Sequence, residues 1–167
     1  NIKYICNRIF IFFYNIYILM MYWAAITWIF MHSFAYKINN TYYKNNSYIP
    51  CNIIKYICSN LPCPVCRNHA IFYLKKYNIQ LCKTKDEFVN YLWNFHNSVN
   101  IRLGKQTFTK EQCNELYSRC NFHNICPLFF KEFQRPYYFG RTMNSWQRRN
   151  ASEKIKKYLY YNWQHFN

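Results

Sequence analysis

The chain has 167 residues, a mass of 20.8 kDa and a formal charge of +16, from 22 Lys and Arg against 6 Asp and Glu. It is 51% hydrophobic and 23% aromatic with only 2 Gly and 5 Pro, which excludes a disordered, collagen-like or linker-dominated chain and argues against turn-rich all-β folds. Neither GxGxxG nor GxxxxGK(S/T) is present, so Gly-rich phosphate loops are excluded too.

Residues 9–31 are almost wholly apolar, long enough to span a membrane. From Trp23 onward, however, the stretch carries a polar helical pattern of its own. That leaves residues 9–20, which are short for a span. The chain starts at Asn1, and Met20 and Met21 stand just before Trp23. Residues 1–20 are therefore read as an apolar upstream segment, either a short membrane anchor or sequence ahead of the true start. Residues 23 to about 38 predict a helix, and the Asn- and Tyr-rich residues 39–47 predict a loop. Pro50 is placed to open a second helix reaching about Asn60. Leu61-Pro62-Cys63-Pro64 interrupts it and starts a third, to about Tyr77. Thr84-Lys85-Asp86-Glu87 has the form of a capping box and starts a fourth helix, to Leu103, with Gly104 where a left-handed cap is wanted. Thr109-Lys110-Glu111-Gln112 repeats that signal for a fifth. Beyond Cys126 the pattern weakens. Residues 136–140 read as a turn and residues 150–163 as a last basic helix. No strand alternation and no internal repeat is evident, so the fold class is all-α.

Nine cysteines are present, an odd number, so at least one is free, intermolecular or reactive. Cys63-Pro64-Val65-Cys66 places a CxxC at a helix start. Unpaired amides and the partial positive charge of a helix N-terminus stabilise a thiolate there. Pro62 and Pro64 suit the entry and first turn, where a missing amide costs nothing. The competing reading is half a zinc site, whose best second half would be Cys113, Cys120, His123 and Cys126, although those spacings form no second CxxC. Trp28, His32 and Ala35 share one helical face; an indole and an imidazole beside a small residue leave a slot for a flat ring, unless they are ordinary core packing. In His96-Asn97-Ser98-Val99-Asn100-Ile101-Arg102-Leu103-Gly104-Lys105, His96 and Asn100 share one face with Asn97 beside it, and cations stand at the helix end. That arrangement suits an extended ligand with phosphates.

In this order the three blocks resemble the Erv/ALR family of FAD-linked sulfhydryl oxidases, and most closely its short viral members. The matching residues are Trp23, Trp28, His32 and Ala35, then Leu61-Pro62-Cys63, Cys66, His69 and Ala70, then His96-Asn97, Val99-Asn100, Arg102-Leu103 and Lys105. The resemblance covers roughly residues 23–117. It implies a four-helix bundle plus a short fifth helix cradling FAD, here followed by a basic, aromatic C-terminal extension. The domain division it implies is an oxidase domain at 21–120 and the extension at 121–167. It assigns Cys63 and Cys66 as the catalytic pair, with Cys63 facing the incoming thiol and Cys66 the flavin. It assigns Trp28, His32, His96, Asn97, Asn100, Arg102 and Lys105 to the cofactor. Electrons would pass from protein dithiols through the CxxC and FAD to O₂, releasing hydrogen peroxide.

Some of the family pattern is missing. Ala24 and Ala25 stand where many members have other residues. Trp93 and Thr109 stand where cellular members carry a structural disulfide. No shuttle pair is evident; Cys113 and Cys120, or Cys51 and Cys58, would lie two helical turns apart, too far for an easy bridge. Cys120 and Cys126 cross a helix break and are the preferred candidates, unless a separate thioredoxin-like relay protein takes the oxidation. The resemblance also implies a homodimer, acting in the cytoplasm of infected cells or in the virion if the chain is viral, and otherwise in an oxidising organelle. The alternative is a basic Cys/His zinc module that binds nucleic acid, motivated by the positive field. That field has a simpler source in the Asn, Ile, Tyr and Lys usage of AT-rich codons. The residues after Arg135 could also dock a partner or an acidic membrane surface.

Overall fold

A computed structural model of the chain describes residues 22–136 and 145–166. Among these residues the secondary structure is helical, apart from one isolated antiparallel bridge between Ile38 and Phe166. The all-α expectation is met. The helices are α1 (22–37), α2 (Asn40–Asn46), α3 (Tyr48–Ser59), α4 (Pro64–Lys76), α5 (Lys85–Arg102), α6 (Lys110–Ser118), α7 (Phe122–Gln134) and α8 (Ser145–Asn162). Short 3-10 turns at Ile79–Leu81 and Trp163–His165 complete the order.

Local chemistry sets most of the boundaries. Thr84 and Thr109 each cap their helix, and Glu87 and Gln112 close the reciprocal bond, so both capping boxes form as the sequence predicts. Gly104 follows α5 with φ +64. Its N–H donates to the Ile101 carbonyl at 3.0 Å and that of Lys105 to the Asn100 carbonyl at 2.8 Å, the paired bonds of a Schellman cap. Pro50 lies in the first turn of α3 rather than at its start, where its missing N–H still orphans no carbonyl.

Two expectations fail. Residues 39–47 are not a loop but hold α2, because Asn39 acts as N-cap, accepting from the Tyr42 N–H at 3.0 Å. Burial of Tyr43 then fixes the helix: its hydroxyl donates to the Cys82 carbonyl at 3.0 Å and lies 3.3 Å from Cys51 Sγ. Tertiary contacts here override the poor helix propensity of Asn and Tyr. The second miss is α7, which follows a side-chain cap from Asn121 and carries Pro127 inside it. The last helix also starts earlier than 150. The expected turn at 136–140, like residues 1–20, lies mostly or wholly outside the described residues.

The core runs through the whole described chain. One face of α1 buries Ile26, Phe30 and Phe34, and Ile38 just after it is buried too. Phe30 stacks on Phe129 of α7, centroids 3.9 Å apart, and Phe34 meets Phe166 at 5.1 Å. Phe122 stacks on Trp163 at 5.7 Å. Arg148 of α8 is 1% exposed; its guanidinium donates to the Phe133 carbonyl at 3.1 Å and the Arg135 carbonyl at 2.8 Å, satisfying the open end of α7. Residues 121–136 and 145–166 thus belong to the same core as the oxidase-like helices. Among the described residues no helix is long and apolar enough to cross a membrane.

Candidate functional site

The other face of α1 lines a cavity of about 730 Å³, within the roughly 300–1,000 Å³ usual for ligand sites. Helix α3 contributes Cys58, α4 the stretch from Cys66 to Ala70, α5 the end from Phe95 onward, and α6 Leu116 and Tyr117. Trp28, Cys63, Cys66, His96, Asn100, Arg102 and Lys105 all stand on its wall. The sequence-predicted blocks, up to 77 residues apart in number from Trp28 to Lys105, therefore converge on one space.

The cysteine pair stands on its wall. Both are free thiols and half-buried. Cys63 is the N-cap of α4, and Pro64 follows at the first helical position. The Cys66 N–H donates to Cys63 Sγ at 3.2 Å. The Cys66 thiol, held against the same sulfur, lowers Cys63 most; burial opposes it, and the Cys66 and Val65 amides and the Arg102 charge add to the lowering, so that Cys63 comes down from 9.0 to about 6. Cys66 is pushed up in turn, first because its proton is held by Cys63 and then by burial. The pair is thus polarised: a thiolate at the helix mouth and a thiol one turn in.

The rings gather on the same cavity. The Trp28 indole and His96 imidazole stack 4.0 Å apart at 5°. His32 is fully buried behind them, its Nε2 3.2 Å from His96 Nδ1. Burial, and then the His96 charge, bring His32 down to about 3; burial, and then Lys105, bring His96 to about 4. Both rings are neutral at physiological pH. The Schellman cap holds Lys105 beside Asn100.

Asn97 is used differently. Its amide donates to the Phe108 carbonyl at 2.8 Å and its carbonyl accepts the Phe108 N–H at 3.2 Å, tying the 103–109 loop to α5. It does not line the cavity. Cys120 does, at the end of α6, whereas Cys126 is buried in α7, where burial raises it to about 12. No bond joins the two. Sequence reasoning missed Tyr117, which stacks on His32 at 4.2 Å, and read Cys113 as a zinc or shuttle candidate, whereas it packs beside the same ring. The spacing Cys113 to Tyr117, one helical turn on a capped helix, was the available signal.

A cavity with mostly apolar walls, lined by a stacked indole and imidazole, by cations and by a dithiol, fits a flavin dinucleotide. Among the described residues no cluster of three or more His, Cys, Asp or Glu could hold a metal ion, so the zinc alternative finds no ligand set. Residues 25–118, more than half of the chain, match the model of the Erv1 / Alr family. The chain is similar to proteins of African swine fever virus named FAD-linked sulfhydryl oxidase. It is 29% identical over 106 residues to that of a Malawi isolate, covering 64% of this chain and 88% of the relative. It is 29% identical over 100 residues to those of a Kenyan and a Namibian isolate, covering 60% of this chain and 83% of each relative. No solved structure matches it significantly.

Proposed function

Since the chain belongs to the Erv1 / Alr family, we propose that Cys63 and Cys66 are the redox pair of an FAD-dependent thiol oxidase, with the cavity at 28, 96, 100 and 105 as its cofactor site. The observation that carries this reading is the polarised pair opening into the same space as Trp28 and His96. When bound there, FAD supplies a two-electron acceptor and hands those electrons to O₂, giving hydrogen peroxide.

The protein's own residues handle the thiols. A substrate thiolate attacks Cys63 Sγ of the oxidised pair; the Cys63–Cys66 bond breaks and Cys66 leaves as thiolate. A second substrate thiol, losing its proton, attacks the substrate sulfur of the mixed disulfide, and Cys63 leaves. The leaving sulfur is then the one whose thiolate the α4 amides stabilise, which favours release of the substrate disulfide. The pair now carries the substrate's two electrons. Cys66, further into α4, is the sulfur assigned to the cofactor side. Trp28, His96, Asn100, Arg102 and Lys105 would hold the cofactor, His32 backs His96 from behind, and Asn97 secures the loop that follows α5.

Protein dithiols are the substrates. The African swine fever virus relatives support a viral or infected-cell context; the reading places the enzyme in the cytoplasm of infected cells or in the virion, as a homodimer. Cys120, on the cavity wall, is the better placed shuttle candidate, and a thioredoxin-like relay protein is the alternative route. Residues 21–120 form the oxidase domain. The purified chain should carry an FAD absorption spectrum and consume O₂ with a dithiol. Cys66→Ser should keep the spectrum and lose turnover; full turnover in Cys66→Ser would overturn the reading.

A further inference from the structure

A second run of hydrogen bonds passes behind the cavity and takes no part in the thiol exchange. Cys113, in the second turn of α6, is 1% exposed and sets Sγ 3.8 Å from Nδ1 of His32. Nε2 of the same ring lies 3.2 Å from Nδ1 of His96. The Tyr36 phenol, one turn on from His32 along α1, lies close enough to Cys113 for each to shift the other's titration. His96 lines the cavity, and its other nitrogen, Nε2, has no partner among the described residues.

A neutral imidazole has one N–H and one bare nitrogen. The run can therefore point in only two directions. Pointing toward the cavity, it leaves His96 with an Nε2–H donor on the wall. Pointing away, it leaves a bare acceptor there. The far end decides. Burial raises the Cys113 thiol, so its sulfur keeps a proton, and among the described residues the nitrogen hydrogen-bonded to that sulfur is the His32 Nδ1 at 3.8 Å. The S–H then has the His32 Nδ1 as its acceptor, which puts the His32 proton on Nε2 and leaves His96 Nδ1 to accept it.

We propose that Cys113 is a positioning residue of the cofactor site: its S–H fixes the tautomers of His32 and His96, so that His96 offers an Nε2–H donor to the bound nucleotide. A donor there, near the Lys105 ammonium, recognises an acceptor atom of the nucleotide, a ring nitrogen or a phosphate oxygen. The proposal rests on the cavity being the FAD site. It does not reach the sulfur pair, and Cys113 touches no substrate.

Long-range proton–nitrogen spectra of the histidine-labelled holoenzyme test it, with melting curves for each variant. His32 and His96 are both expected to carry their proton on Nε2; an Nδ1–H signature at His96 overturns the proposal. Cys113→Ala is expected to mix the tautomers of His32 and raise the FAD Kd roughly three- to tenfold, the worth of one neutral hydrogen bond. Cys113→Ser keeps a donor and is expected to keep both properties. Unchanged tautomers and an unchanged Kd in Cys113→Ala would refute the role. If the alanine variant does not fold, the wild-type and serine spectra still decide. A chain that binds no FAD would sink the cofactor reading instead, while its own spectra would still report the tautomers.

Discussion

The charge on Cys63 is the property that most directly tests the polarised pair. A thiol at about 6 is roughly nine-tenths ionised at pH 7, against about one-hundredth for a thiol at 9.0. Ionisation alone would speed alkylation about ninetyfold. Nucleophilicity falls as basicity falls, however, with a Brønsted slope of about 0.4–0.5, which over three pH units takes back a factor of about 16–32. The net gain at pH 7 is only about three- to sixfold, so the midpoint of the pH profile is diagnostic and the rate is not. The assay is anaerobic alkylation of the reduced protein from pH 5 to 9, with labelling of Cys63 read by mass spectrometry. The midpoint should fall near 6. Cys66→Ala removes the thiol donor, the largest contribution, and should move the midpoint up, leaving the Cys66 and Val65 amides and Arg102 to work against burial. A wild-type midpoint near 9, or one that Cys66→Ala leaves unmoved, would refute the reasoning. The same shift acts on folding. Because the folded value lies below the unfolded one, the thiol's contribution to stability is complete above pH 9 and is lost as pH falls through 6. Reduced wild type should therefore gain melting temperature over Cys63→Ser between those limits.

Phe129→Ala removes a fully buried ring stacked on Phe30 and should cost about 3–5 kcal/mol in denaturant unfolding; a loss under about 1 kcal/mol would mean that α7 is not part of the core. Asn97→Ala leaves the Phe108 N–H without its side-chain partner and should lower stability by about 1–3 kcal/mol, while turnover at saturating FAD stays near wild type; a selective collapse of FAD binding would make Asn97 a ligand residue rather than a clamp.

The sequence disclosed the site better than its setting. Caps, the CxxC and the HN block are short-range signals, and each acts within one helical turn: Thr84 on Glu87, Cys63 on Cys66, Gly104 on Ile101. What those signals cannot contain is contact across the chain. Residues 39–47 read as loop because Asn and Tyr are poor helix formers, yet Tyr43 is held by Cys82, 39 residues away. Asn97 reads as a ligand residue by its neighbours in sequence, and only the return of Phe108 shows it as a clamp. Helix α7 is hidden by Pro127 and by the poor propensity of its aromatic residues, which become favourable once Phe122, Phe129 and Phe133 are buried.

The match to the family ends at residue 118, but the mechanical support of the site does not. Helix α1 is shared between two jobs. Trp28 and Thr27 face the cavity, and Phe30 and Phe34 face the aromatic layer built from α7, α8 and the final 3-10 turn. Side chains on adjacent faces of one helix cannot move independently, since a rotation that relaxes Phe30 would also turn Trp28 off its stack with His96. The Ile38–Phe166 bridge and the bond from the Asn39 N–H to the His165 carbonyl at 2.7 Å tie the end of α1 to the end of the described chain. The C-terminal extension therefore acts on the ring side chains of the cavity through α1, and none of its residues lines the cavity beside the sulfur pair. Disturbance there should appear as weakened cofactor retention before it appears as a changed Cys63 midpoint.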